Sequence, residues 1–216
     1  MFLGRSLTFD ESERAAADLA VMPVSVQNSA LGFVERLKAG DQDAFDLLVS
    51  KFAGDIFGLA YRLTQSREEA DDITQETFLS AVRAIANFRG DAELKTWLFR
   101  ITVNHARNRF RWWKRRRLDR TISIDAQFGE SETAEIDRIA DSGKDPEQTA
   151  LEIERKSAVF RELGNLPHVY REVVVLCDVE GYSYDEIALI VGVGIGTVKS
   201  RIARGRGVLR ERLKDF

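Results

Sequence analysis

The chain has 216 residues, of which 44% are hydrophobic and 31% are charged, and its formal net charge is −3. This length suits one large domain or two small ones, and so weak a net charge excludes attraction to nucleic acid or membrane by the field of the whole molecule. The single cysteine, Cys177, excludes an internal disulfide and a cysteine-based zinc site, and no apolar run approaches the roughly 20 residues that span a bilayer.

Residues 1–28 form a leader to which the pattern assigns no role. The leader lacks a secretory signal, because acids and arginines interrupt its apolar stretches. We therefore expect a cytoplasmic protein without membrane insertion, and we expect it to hold no metal and no cofactor.

Residues 29–117 have helical periodicity throughout and predict a first domain. Asp41 is expected to cap one helix, and Ser66 with Glu69 forms the Ser-x-x-Glu capping box of the next. The run RGD at 89–91 should end that second helix, and a further helix is expected from about Glu93 to Arg115.

The helix after Ser66 has an apolar face and an acidic face. At helical spacing, the apolar face comprises Ala70, Ile73, Thr77, Ala81, Ile85 and Phe88. On the acidic face Leu79 lies among charges, an arrangement that fits either a protein-docking patch with a polar rim or a single exposed leucine of no consequence. The neighbouring carboxylates lack the glycine-punctuated loop of a calcium site, and no His or Cys joins them, so we predict no metal or catalytic role there.

The helix after Glu93 is strongly basic. It contains nine Lys or Arg and no Asp or Glu between Lys95 and Leu118. Its polar side chains share one stripe, which comprises Arg100, Asn104, Arg107, Asn108, Arg111 and Lys114. Solvated helix faces usually mix charges of both signs, so this face favours nucleic-acid contact. The other positions are mostly apolar and predict that the rest of the helix, Trp112 and Trp113 included, is buried. Phe88, beside the loop, is the better candidate for base stacking.

Residues 118–145 predict a flexible acidic linker, because eight acids face two basic residues between Thr121 and Glu147. Asp145 as cap and Pro146 at the first helical position then begin a second helical domain, residues 146–216. Within it, the β-branched run at 173–177 resembles a strand in composition, but the flanking helical patterns favour a helix.

The end of the chain has the pattern of a helix-turn-helix. Ser183 and Glu186 form a capping box, a Gly-rich turn follows, and a basic helix begins near Gly196. Its outward residues suit the DNA major groove, namely Thr197, Lys199, Ser200, Arg201, Arg204 and Arg206. Gly205 and Gly207 predict fraying of this helix beyond Arg204, with Gly205 on the core side.

Three of these segments, in this order, resemble an RNA polymerase sigma factor of the extracytoplasmic-function (ECF) class, in the sigma-70 family and RpoE-like. EEADDITQETFLSAVRAIANFRG resembles the polymerase-binding helix, KTWLFRITVNHARNRFR the −10-recognition and melting helix, and the segment from Leu166 to Leu213 the −35-binding domain. The resemblance covers residues 30–216. It implies an all-α fold of two small helical domains, sigma region 2 (29–117) and sigma region 4 (146–216), joined by the flexible acidic linker.

The resemblance also implies roles for individual residues. Docking on the β′ clamp helices of core RNA polymerase falls to Asp71, Asp72, Gln75, Glu76 and Leu79. Contact with the −10 element falls to Phe88, Lys95, Asn104, Arg107, Asn108 and Arg111. The −35 element would be read by the six outward residues of the last helix. Core polymerase, including its β flap, promoter DNA and an anti-sigma factor are the implied partners, and the linker would enter the polymerase channels.

Two other functions compete with this one. A helix-turn-helix regulator that acts without polymerase would bind duplex DNA, but it would not need the acidic docking helix. An enzyme that cleaves nucleic acid would need a carboxylate or histidine cluster beside the basic face, and the sequence has none there. The sequence therefore predicts a transcription initiation factor and not an enzyme.

Overall fold

The structure is a computed structural model that describes residues 32–119 and 146–214, with side chains described over 32–116 and 154–214. The leader, Asp145 and all but the first two residues of the predicted linker lie outside the described residues.

All regular secondary structure in the described ranges is helical, so the predicted all-α class is confirmed. The helices, numbered here in chain order, are α1 (32–38), α2 (Gln42–Thr64), α3 (Arg67–Ala84), α4 (Leu94–Asp119), α5 (Pro146–Asn165), α6 (His168–Val174), α7 (Tyr184–Val191) and α8 (Ile195–Arg212). A 3-10 turn, Ile85–Asn87, follows α3, and a π-helical turn, Val175–Val179, follows α6.

The chain divides into two compact units, and the described residues 32–47 belong to the first. Its described part holds α1, a turn in which Gly40 has φ of 78°, and the start of α2. Asp41 caps α2 as predicted, because its Oδ1 accepts the N–H of Ala44 at 3.3 Å. The guanidinium of Arg36 donates to Asp41 at 2.6 Å and holds the pKa of that carboxyl below its ordinary value.

The second unit begins at Leu48 and contains α3 and α4 packed against each other. The predicted inward face of α3 is buried along its whole length. At the start of α3 the side chain of Ser66 accepts the N–H of Glu69 at 3.3 Å, as a cap should. The predicted capping box is only half formed, however, because the carboxylate of Glu69 pairs with Arg109 at 2.6 Å.

Between these helices the chain turns at Gly90, whose φ of 79° favours glycine, and this confirms the break predicted at RGD. Helix α4 then continues to Asp119, beyond the end predicted at Arg115.

The run at 173–177 is helical, as predicted, and passes into the π-helical turn. Its residues Val173–Leu176 are almost fully buried. Their β-branched character therefore reflects packing on every side, which overrides intrinsic strand preference.

The helix-turn-helix has the expected local structure. The capping box of Ser183 and Glu186 is complete, and Gly192 ends α7 in the left-handed conformation with φ of 68°. Helix α8 does not fray beyond Arg204 as predicted but continues to Arg212. The reason is tertiary packing at Gly205, which is buried against α6, where a Cβ would lie 2.7 Å from Cγ2 of Val174.

One hydrophobic cluster runs through the second unit. It includes Phe99 and Val103 of α4 together with Ile187 and Val198 of the helix-turn-helix. The guanidinium of Arg171 is buried in the same region. It donates to backbone carbonyls of Leu63, Gly164 and Leu166, and burial lowers the pKa of Arg171 to about 10.

Candidate nucleic-acid and protein interfaces

The acidic face of α3 is open to solvent. All five of its predicted docking residues are exposed, namely Asp71, Asp72, Gln75, Glu76 and Leu79. Leu79 keeps 57% of its surface exposed and follows the polar side chains of Gln75 and Glu76 by one helical turn. An exposed apolar residue within a polar rim is the arrangement expected of a protein-docking patch.

The structure adds Val82 to this patch. Val82 follows Leu79 by three residues, which places the two side chains on the same side of a helix, and it is 49% exposed. Sequence reasoning missed Val82, although the i,i+3 spacing from Leu79 was the signal that would have found it.

Side chains of α4 form ion pairs with carboxylates of the acidic face of α3. Arg109 pairs with Glu69 at 2.6 Å and with Asp72 at 3.0 Å. The imidazole of His105 lies between Glu76, at 3.1 Å, and the hydroxyl of Ser80, at 3.0 Å. These pairs orient the carboxylates of the patch. The expectation that no His joins these carboxylates is wrong at Glu76, because His105 reaches it from the neighbouring helix.

The basic face of α4 presents three of its predicted strand-contacting residues to solvent: Asn104, Asn108 and Arg111. Arg111 donates to the side-chain oxygen of Asn108, one turn away. This bond fixes the Asn108 amide and leaves its N–H groups as donors for an outside acceptor.

Arg107, on the same predicted stripe, is engaged inside the protein. Its guanidinium donates to both carboxylate oxygens of Glu172, at 2.8 and 2.6 Å, and to the carbonyl of Val191 at 2.7 Å. The expectation that Arg107 lies on an open face is therefore wrong for this conformation. Three of its five N–H groups are thus engaged inside the protein.

The side chains of Phe88 and Lys95 also contact other residues of the protein. Phe88 is buried, and its ring packs on Trp97 with a centroid distance of 5.2 Å. Lys95 pairs with Asp55 at 2.8 Å. The ring of Phe88 is thus not open to a nucleobase in this conformation, and its stacking role stays a prediction.

The last turns of α4 are not buried, in contrast to the expectation from their apolar residues. Trp112 is 37% exposed and Trp113 is 44% exposed. The expectation is wrong because the apolar positions of this segment have no core to face. Its basic neighbours up to Arg116 are exposed as well.

Helix α8 presents most of its predicted DNA contacts outward. Thr197, Lys199, Ser200 and Arg204 are exposed. Arg201 is half-buried and reaches Glu172 at 3.3 Å.

Arg206 is tied to the chain that precedes the helix-turn-helix. It donates to both carboxylate oxygens of Asp178, one of them at 3.1 Å, which raises the pKa of Arg206. It also reaches the sulfur of Cys177 at 3.4 Å, while burial and Asp178 raise the pKa of that thiol. Arg206 is therefore exposed but already paired.

No group of three metal-ligating side chains occurs in the described parts of the chain. None of the helices described has the length and hydropathy that a membrane crossing requires.

Two family models match the chain: Sigma-70 region 2 over residues 48–117 and Sigma-70, region 4 over residues 157–209. The RNA polymerase sigma-H factor of Pseudomonas aeruginosa is 39% identical over 184 residues, which is 85% of this chain and 93% of that relative. The ECF RNA polymerase sigma-E factor of Escherichia coli is 37% identical, over 85% of this chain and 93% of that relative.

Solved structures agree with the sequence relatives. The sigma factor RpoE of Bartonella quintana, in complex with the anti-sigma factor NepR, matches with a TM-score of 0.58 and 26% identity, over 79% of this chain and 96% of that one. CnrH in complex with the cytosolic domain of CnrY has the same TM-score and identity, over 86% of this chain and 97% of that one. The chain belongs to the sigma-70 family of RNA polymerase sigma factors, in its ECF class.

Proposed function

We propose that this protein is an alternative sigma factor, which directs core RNA polymerase to specific promoters and helps to open the −10 element. One observation carries the proposal: adjacent helices expose an acidic face with apolar residues on α3 and a basic face on α4, next to a helix-turn-helix. A transcription factor that needed only duplex DNA would not require the first two surfaces.

The acidic face of α3 is proposed to dock on the β′ clamp helices of the polymerase. Leu79 and Val82 supply apolar area for such a contact, and Asp72 and Glu76 supply charge around it. Asp71 and Gln75 extend the rim. Because Arg109 and His105 hold two of the carboxylates in place, little side-chain entropy is lost when the partner binds.

The basic face of α4 is proposed to hold the non-template strand of the −10 element. Asn104 and Asn108 offer amides that can hydrogen-bond to the edges of exposed bases, and Arg111 offers charge for the phosphates. Removal of a base from the duplex stack costs a few kcal/mol, which such contacts offset. Arg107, Lys95 and Phe88 would join this site only after they leave Glu172, Asp55 and Trp97.

The N-terminal half of α8 is proposed to enter the major groove of the −35 element. Lys199, Ser200 and Arg204 are exposed there, and Thr197 lies at the helix start, where backbone N–H groups favour phosphate. Arg201 and Arg206 would contact DNA only after they leave their carboxylate partners, Glu172 and Asp178.

These assignments divide the chain into region 2 (29–117), a linker (118–145) and region 4 (146–216). RpoE of Bartonella quintana was solved with the anti-sigma factor NepR, and CnrH was solved with the cytosolic domain of CnrY. We therefore propose that this chain also binds an anti-sigma factor.

The protein would act in the cytoplasm, without catalysis of its own.

A reconstituted transcription assay tests the function. Core polymerase with this chain, on genomic DNA of the source bacterium, should produce transcripts that start at a small set of sites with a shared upstream sequence. Core polymerase alone should not start at those sites. Transcript ends that are the same with and without the chain would contradict the proposal.

A further inference from the structure

Four exposed side chains follow one another along α4 at intervals of four residues: Asn104, Asn108, Trp112 and Arg116. Residues four apart lie on the same side of a helix. Each step of four residues turns the side chain by about 40° around the helix. The face proposed to contact single-stranded DNA therefore continues beyond Asn108 as a winding row through an indole and a guanidinium.

The indole of Trp112 is held in a defined orientation. Its ring meets Trp113 edge to face, with centroids 5.0 Å apart and planes at 81°. The guanidinium carbon of Arg116 lies 4.3 Å from the Trp112 ring centroid, a cation–π contact. More than a third of each indole nevertheless stays in water, at 37% for Trp112 and 44% for Trp113.

The charge around the two indoles selects the partner. Arg111, Lys114, Arg115 and Arg116 are all exposed around them, and no acid occurs between Lys95 and Leu118. Cations that bind phosphates, together with an aromatic ring on which a base stacks, are the two components of single-strand binding surfaces. A protein partner would have to cover this many cations with matching carboxylates, whereas a nucleic acid supplies one phosphate for each nucleotide.

We propose that Trp112 and Arg116 form a stacking platform for single-stranded DNA, which extends the −10 contact of Asn104 and Asn108. Trp112 stacks on a base through the ring face that Arg116 does not cover, and Arg116 binds an adjacent phosphate. The inference rests on the proposed function for its DNA partner. Four residues of helix span about 6 Å and stacked nucleotides repeat at about 3.4 Å, so the platform lies about two nucleotides beyond the base that Asn108 contacts.

The test measures binding of the full-length chain to a fluorescently labelled 12-nucleotide oligothymidine at several salt concentrations. A homopolymer is suitable because stacking tolerates any base. Trp112→Leu, which keeps an apolar side chain but has no π face, should bind at least about fivefold more weakly with an unchanged salt slope. Trp112→Phe should retain most of the affinity.

Arg116→Gln should weaken binding and also reduce the salt slope by about 0.7, the value for one phosphate contact on a single strand. Arg161→Gln is the matched control, because Arg161 is equally cationic and 64% exposed but lies on α5, and it should change neither quantity. Thermal unfolding of each variant checks that the fold is intact.

Wild-type affinity in both Trp112→Leu and Arg116→Gln would overturn the platform. So would loss of polymerase binding in Trp112→Leu with unchanged oligonucleotide binding, because the indole would then serve a protein contact. Co-purification with core polymerase separates the two proposals. A chain that binds oligothymidine through Trp112 but never binds polymerase would refute the sigma-factor function and leave the platform standing.

Discussion

Arg107 of α4 and Glu172 of α6 form an ion pair through two hydrogen bonds, with N–O distances of 2.8 and 2.6 Å. The two residues are 65 positions apart in the chain. Glu172 is only 3% exposed, and Arg201 of α8 reaches the same carboxylate at 3.3 Å. One buried acid therefore holds an arginine proposed for the −10 element and an arginine proposed for the −35 element. The two arginines share this carboxylate, and each side chain is 24% exposed.

Glu172→Gln should weaken these bonds and release both arginines. We expect the free energy of unfolding to fall by about 1–3 kcal/mol, because charge-assisted hydrogen bonds are lost, and the affinity for DNA to rise. Chemical denaturation and fluorescence anisotropy with a labelled duplex measure the two effects. Glu154→Gln, an exposed acid on α5, is the matched control. Lower stability together with lower DNA affinity would show that the ion pair only supports the fold.

Asn104→Ala and Asn108→Ala should each slow promoter opening without a change in polymerase binding, because the two amides lie on the exposed face of α4 and not on α3. Permanganate reactivity of unpaired thymines in the −10 region reports opening, and gel filtration with core polymerase reports binding. If either substitution abolishes polymerase binding, the division between the two helix faces is wrong.

Lys199→Glu combined with Arg204→Glu should abolish protection of the −35 element, because two exposed cations of α8 become anions that phosphates repel. The double variant Lys51→Glu with Arg161→Glu changes the net charge equally on α2 and α5, and its footprint should match that of the wild type. A −35 footprint that survives in the first variant would remove the recognition role from α8.

Gly205→Ala should destabilise the protein by about 1–3 kcal/mol, because the added methyl group would lie 2.7 Å from Cγ2 of Val174 in a packed core. Gly207→Ala is the natural comparison, since nothing lies within 4 Å of a Cβ built there. That second change should stabilise α8 by about 0.5–1 kcal/mol. Urea denaturation of the pair tests this contrast, and equal effects of both substitutions would contradict the packing at Gly205.

The features of the fold that depend on local residue spacing could be predicted from the sequence. The buried stripe of α3, the caps at Ser66 and Ser183 and the helix-turn-helix all follow from residues within a few positions of one another. Contacts between distant helices could not be predicted in this way. Glu69 pairs with Arg109 instead of completing its box, and Arg107 turns to Glu172, because those partners exist only in the folded chain.

Burial at the end of α4 was mispredicted for a related reason. The expectation rested on the hydrophobicity of Trp112 and Trp113 alone, but Ala106 is the last almost fully buried residue of α4 among the side chains that the structure describes. Hydrophobicity indicates a preference for burial, and only tertiary structure decides whether a surface is there to cover the side chain.

Co-purification with bacterial core polymerase tests the central claim most directly, with wild type beside Asp72→Lys/Glu76→Lys. We expect a stable wild-type complex that this double variant loses, because the charges of two exposed carboxylates on the α3 face are reversed. The double variant Glu154→Lys/Glu211→Lys, with the same change in net charge on α5 and α8, should still bind. Failure of the wild-type chain to bind, with residues 1–28 removed and no inhibitor present, would contradict the account and favour a regulator that acts on DNA without polymerase.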